Sequence, residues 1–224
     1  MRKTYKVWVG SNKQIEMKKN YHQNLEPNHE YHLFSRAVGD EKLFRTVENY
    51  NYFLQKLKHH TDAICKLYPY TLLPNHFHLL VKIEDEKNII SHFEEKKNKK
   101  FDYLQHSIAE FIMERFSNFL NGYTKAYNKM YERKGALFLD FLKRSKANND
   151  ADFSAFVFYV HKNAVHHGYT KHIGDWQFDS YASLLSNAPT SLLRNELIDF
   201  FGSQEAFIKF HQQPVNLKVD FVDV

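Results

Sequence analysis

The apolar positions along the chain change period several times, and each change marks an element. Tyr31-His32-Leu33-Phe34-Ser35-Arg36-Ala37-Val38 is rich in β-forming residues and runs into Gly39-Asp40, a turn signal, so it predicts a first strand. Val47, Tyr50, Phe53, Leu54 and Leu57 recur at helical spacing and predict a helix from about Val47 to His60. Residues 63–72 predict a second strand, with Pro69 marking an edge or a bulge. Residues 76–82 predict a third, joined to the second by a hairpin at Pro74-Asn75. Strand, helix, strand, strand is the front of a ferredoxin-like α+β fold. Residues 84–100 are highly charged and read as a solvated loop. Ile108, Phe111, Ile112, Phe116, Phe119 and Leu120 form a stripe within a long helix over 101–129, interrupted at Asn121-Gly122. Residues 135–144 read as the last strand. A helix over 152–167 follows, started by Asn148-Asn149-Asp150 and stopped by Gly168. Helices over 191–201 and 204–212 precede an extended tail, 215–224.

These elements suggest an arm (1–29, with a possible short strand at Val7-Trp8-Val9), one domain (30–185), and a small C-terminal helical extension with its tail (186–224). An antiparallel sheet with packed helices is the expected core. Composition adds three limits. Aromatic residues make up 16%, with 20 Phe and 14 Tyr, enough for a core and for stacking surfaces. A formal net charge of +5 favours an acidic partner such as nucleic acid. A single cysteine, Cys65, excludes an internal disulfide and a cysteine-based zinc site, and fits a reducing cytoplasm. No apolar run approaches the roughly 18–20 residues of a membrane span, so a soluble, unsecreted protein without a membrane partner is expected.

The chemistry concentrates at Pro74-Asn75-His76-Phe77-His78-Leu79-Leu80. On a strand, side chains alternate, so His76 and His78 project to one side and Phe77 to the other. Two imidazoles roughly 7 Å apart at the backbone can both reach one divalent ion. With 14 histidines in the chain, such a pair also arises by chance. A second constellation lies on one helix: Tyr159 and Asn163 are four apart and share a face. A Tyr/Asn pair at that spacing is ordinary on a helix surface, but a phenol one turn from an oxygen ligand would be fixed relative to a bound ion.

Pro-Asn-His-Phe-His-Leu-Leu resembles the signature of the HUH single-tyrosine transposases, and Tyr159-Val160-His161-Lys162-Asn163 resembles the Tyr-Ile-His-x-Asn-Pro motif of their REP-associated branch. Tyr31-His32-x-x-x-Arg36, Tyr123-x-x-x-Tyr127-Asn128-Lys129, Gly135-Ala136-Leu137-Phe138 and Asp175-Trp176-x-x-x-Ser180-Tyr181 resemble further family segments, in order, over about residues 30–185. Ala164 stands where the family usually has Pro, which lets the helix run on.

The resemblance implies a transposase that nicks and rejoins single-stranded DNA beside a hairpin. Tyr159 would be the nucleophile, with a 5′-phosphotyrosine intermediate. His76, His78 and Asn163 would hold Mg or Mn. A bacterial, nucleoid-associated location and a monomer follow from it, with a homodimer as the alternative. Lys96, Lys97, Lys99, Lys100, Arg133, Lys134, Lys143 and Arg144 are candidate backbone contacts. Tyr123, Tyr127, Tyr131, Phe138 and Phe141 lie among basic residues and could line a single-strand groove or a core. Two other readings stay open: a relative that binds structured single-stranded nucleic acid without cutting it, and a metal-dependent hydrolase with water as nucleophile.

Overall fold

The computed structural model of the chain describes residues 21–212. The expected strand at Val7-Trp8-Val9 and the tail from Val215 lie outside them.

Four antiparallel strands form one sheet in the order β2-β3-β1-β4. They are β1 (Glu30–Arg36), β2 (Cys65–Leu73), β3 (His76–Ile83) and β4 (Lys143–Lys146). With α1 (Val47–Thr61) between β1 and β2, and α2 (Glu86–Lys97) and α3 (Ile108–Met130) between β3 and β4, the connectivity is that of a ferredoxin-like α+β fold. One face carries α1, α2 and α3 over a core of Phe53, Phe77, Leu79, Phe116 and Phe119. The other carries α4 (Asp150–His166), α5 (Tyr181–Leu185), α6 (Arg194–Phe201) and α7 (Gln204–Gln212), which close over Tyr68, Leu80, Phe156 and Val157.

Three elements differ from the sequence-based expectation. Residues 86–97 are helical rather than a loop. Asp85 caps the helix by accepting from Asn88 N, and Ile89 and Phe93 are buried one turn apart beneath the charges. The helix α3 begins at Ile108, after Ser107 accepts from Glu110 N, and runs through Asn121-Gly122 without a break. The last strand is four residues long and polar. Residues 135–142 form bends instead, meeting the chain just past β1 through an isolated bridge between Ala37 and Phe138. The expected bulge at Pro69 is present as a register shift between Leu67 and Tyr70.

Both sheet edges are covered, which removes exposed pairing groups. Along β2, Leu72 N donates to Phe178 O and Leu193 N to Leu67 O; along β4, Arg144 N donates to Tyr21 O. Among the described residues no helix is long and apolar enough to cross a membrane.

Candidate active site

Strand register assembles the site before any helix is added. Across β3 and β1, His76 faces Arg36, His78 faces Phe34 and Leu80 faces His32; across β1 and β4, Phe34 faces Lys143. Directly opposed residues share a sheet face. These side chains therefore lie together on the α4 side, because Leu80 packs with Phe156 and Val157.

The helix α4 is held at both ends and in the middle. Asn149 accepts from Asp152 N at 2.9 Å as its N-cap. At the other end Gly168, at φ +73°, closes a Schellman motif: its N–H donates to Val165 O at 3.0 Å, and Tyr169 N donates to Ala164 O at 2.9 Å. Ala164 lets the helix continue to His166 and serves this cap. Thr71 Oγ1, on β2, donates to Val160 O at 2.6 Å and stitches the helix to the sheet. Tyr159 and Asn163 thereby meet the histidine face.

His76 Nε2 lies 3.0 Å from Asn163 Oδ1, and its Nδ1 lies 2.8 Å from Asn75 Oδ1. His78 Nδ1 lies 2.9 Å from His32 Nε2. The His76 and His78 rings are 5.3 Å apart at 85°. The Tyr159 ring stands perpendicular to His78 at 5.2 Å and edge-on to His32 at 5.6 Å. His76, His78 and Asn163 are all buried, and Tyr159 is 8% exposed. Burial pushes the imidazole pKa of His76 down to about 4 and of His32 to about 3, and drives His78 well below its ordinary value. These rings are neutral at pH 7.

Neutrality makes the hydrogen bonding revealing. A neutral imidazole has one N–H. If His76 Nδ1 donates to Asn75, then His76 Nε2 and Asn163 Oδ1 turn lone pairs toward each other. Reversing the Asn163 amide would restore a hydrogen bond but leave its oxygen as the orphan, since Asn163 Nδ2 has no hydrogen-bond partner among the described residues. His78 Nε2 is likewise buried without a hydrogen-bond partner among them. Such orphans are rare in folded proteins. Two imidazole nitrogens and an amide oxygen are a donor set that divalent ions accept, with the outer ring nitrogens oriented by Asn75 and His32. Among the described residues no group of three or more His, Cys, Asp or Glu is placed to hold a metal, so the Asn163 oxygen is essential to this set.

The eight basic residues singled out by sequence are scattered. Lys97 pairs with Glu114 at 2.6 Å and Lys100 with Glu94 at 3.2 Å, while Lys99 Nζ sits 5.6 Å over the Phe93 ring. Lys96 and Lys134 are exposed. Arg133 holds Glu41, Asn128 and the Ala136 carbonyl. Arg144 ties the carbonyls of His22, Gln23 and Leu142. Lys143, paired with Asp140 at 2.9 Å, shares the histidine face. The periodicity of the chain did not single out His32 or Arg36 as site residues. Both belong to the β1 motif, but only the register shows that they face Leu80 and His76.

No protein family matches the chain, and no curated protein matches it. A solved structure of a REP-associated tyrosine transposase bound to a REP hairpin is similar over 78% of this chain and 90% of that one. The TM-score is 0.54 and the identity 15%. That likeness establishes the fold.

Proposed function

We propose that the chain is a metal-dependent single-stranded DNA endonuclease and strand transferase of the transposase type. The observation that carries this reading is the buried convergence of Tyr159, His78, His76 and Asn163, with His78 Nε2 and one Asn163 atom left without a hydrogen-bond partner among the described residues. The fold likeness to a hairpin-bound transposase supports a hairpin-containing DNA as partner.

His76, His78 and Asn163 would hold Mg or Mn, which when bound would supply positive charge to a phosphate. The phenol of Tyr159, wedged edge-on between His78 and His32, is held in one orientation by α4. Its Oη attacks phosphorus; the new Oη–P bond replaces the P–O3′ bond. The phenolic proton passes to water, and the departing 3′-oxygen takes one up. A second 3′-hydroxyl then displaces Tyr159 and restores the phenol. One phosphate ester replaces another at each step, so no nucleoside triphosphate is consumed.

The test incubates the full chain with end-labelled DNA hairpins carrying single-stranded flanks, with Mg or Mn, and resolves products on a denaturing gel. A protein-linked DNA band that disappears in Tyr159→Phe is expected. Binding with no such band would replace this reading with that of a non-cutting relative. Cleavage that survives Tyr159→Phe would make water the nucleophile.

A further inference from the structure

The basic, aromatic-rich stretch over 123–144 splits in the fold. Tyr123 and Tyr127 are buried in the core, their hydroxyls on the Leu43 and Lys42 carbonyls. Tyr131 donates to Asn49 Oδ1 at 2.8 Å beneath the Arg45 guanidinium. Phe138 packs on the core beside Ala37. None of these four is open to a nucleic-acid base. Phe141 is different: it is 46% exposed, and Leu139 is 52% exposed.

Those two residues stand on a pinned segment. Leu139 N donates to Arg36 O at 2.9 Å, Ser35 Oγ donates to Asp140 O at 3.1 Å, and Leu142 is fully buried. The segment hugs the end of β1 where Arg36 faces His76, and it leads into Lys143, opposite Phe34 and hence separated from His78 by the width of β1. Arg36 is half-buried and makes no ion pair among the described residues. Arg36 stands directly opposite His76 across β1 and β3, which places it on the site's face of the sheet. An arginine without an ion pair among the described residues, a lysine whose partner Asp140 is itself exposed, and an exposed aromatic on the segment between them suit phosphate, phosphate and base in sequence.

We propose that Phe141, flanked by Leu139, is a stacking platform for one unpaired nucleotide next to the reacting phosphate, with Arg36 and Lys143 gripping the backbone on either side. The ligand class rests on the strand-transferase reading; the subsite itself rests on exposure, register and charge.

The probe is an oligothymidylate carrying 5-iodouracil, irradiated on the full chain and mapped by peptide mass. A cross-link within residues 135–143 is expected. Phe141→Ala should weaken oligothymidylate binding roughly 5- to 150-fold, the range for one lost base stack, while keeping the wild-type unfolding temperature. Phe141→Tyr should retain affinity. Arg36→Ala should flatten the slope of log affinity against log salt by about 0.7, one single-strand phosphate. Cross-links elsewhere, wild-type affinity in Phe141→Ala, or no oligothymidylate binding by the wild type would each overturn the proposal. A Phe141 cross-link in a protein that forms no DNA adduct would instead sink the transferase chemistry and leave the subsite standing.

Discussion

Two pairs of buried histidines lie on either side of α4, and they differ in whether the polar atoms around them find partners. His161 is two residues beyond Tyr159, about 200° around the helix, and faces away from the sheet histidines. Its Nδ1 lies 3.0 Å from His211 Nε2, its Nε2 lies 3.1 Å from Ser180 Oγ, and His211 Nδ1 lies 2.8 Å from Phe207 O. One proton arrangement satisfies both rings: the Ser180 hydroxyl turns to His161 and leaves the Tyr70 carbonyl to Ser180 N, His161 donates to His211, and His211 donates to the Phe207 carbonyl. His76 and His78 are equally buried and equally neutral, yet there a ring nitrogen and an amide atom are left over. Burial and a depressed pKa therefore do not by themselves mark a site. In the proposed reading it is the convergence of His76, His78 and Asn163 with unspent atoms that marks one, whereas the satisfied pair joins α4 to α7.

The comparison breaks if the two pairs respond alike to substitution. His78→Ala should have the largest effect on chemistry, abolishing the protein-linked DNA band, and it should also abolish Mn binding measured by calorimetry. His161→Ala should act on stability. It strands His211 Nε2 in the interior, while Ser180 Oγ keeps Tyr70, and with the cavity it leaves should cost about 2–4 kcal/mol in denaturant unfolding, while the adduct still forms below the lowered melting temperature. Equal loss of the adduct in both variants would erase the distinction. Asn75→Ala should come next, with metal affinity or adduct yield down about 10- to 100-fold, because Asn75 only orients His76. Wild-type behaviour would show that Asn75 does not set the His76 tautomer.

The smallest effect per residue is the pH dependence of folding. Burial depresses His32 to about 3, His76 and His211 to about 4, and His78 and His161 well below their ordinary value. The unfolded imidazoles take up protons first, so stability is full above about pH 6.5 and falls as the pH drops toward 4. Each contributes up to about 1.4 kcal/mol per pH unit in that window. Asp179, pushed up to about 7 by burial, has the opposite sign: its contribution is full below the ordinary carboxylate range and lost as pH rises through 7. Five imidazoles outweigh one carboxyl, so the melting temperature should fall on acidification, and His161→Ala should flatten that fall. A melting temperature that rises between pH 7 and 5 would contradict the assignment of neutral buried rings.

Much of the sheet was legible because β1 and β3 are apolar enough to show themselves. β4 was displaced because Lys143–Lys146 is Lys-Arg-Ser-Lys, a strand held by pairing with β1 rather than by its own side chains. The more apolar residues 135–142 beside it attracted the strand assignment. The helix α2 was hidden for a related reason: its buried stripe is only Ile89 and Phe93, and the charges around them dominate composition. His76, His78, Tyr159 and Asn163 stood out because their spacing coincided with motifs resembling those of the HUH single-tyrosine transposases. His32, Arg36 and Phe141 acquired their places from register and exposure.

By itself the sequence determined which side chains travel together, since a period of two puts His76 beside His78 and a period of 3.6 puts Tyr159 beside Asn163. It also determined that one helix carries both Tyr159 and His161. Which histidines keep an unspent nitrogen was decided only by tertiary structure. Hydrogen-bond satisfaction depends on partners 46, 50 and 87 residues away in the chain, and no local period encodes whether such a partner arrives.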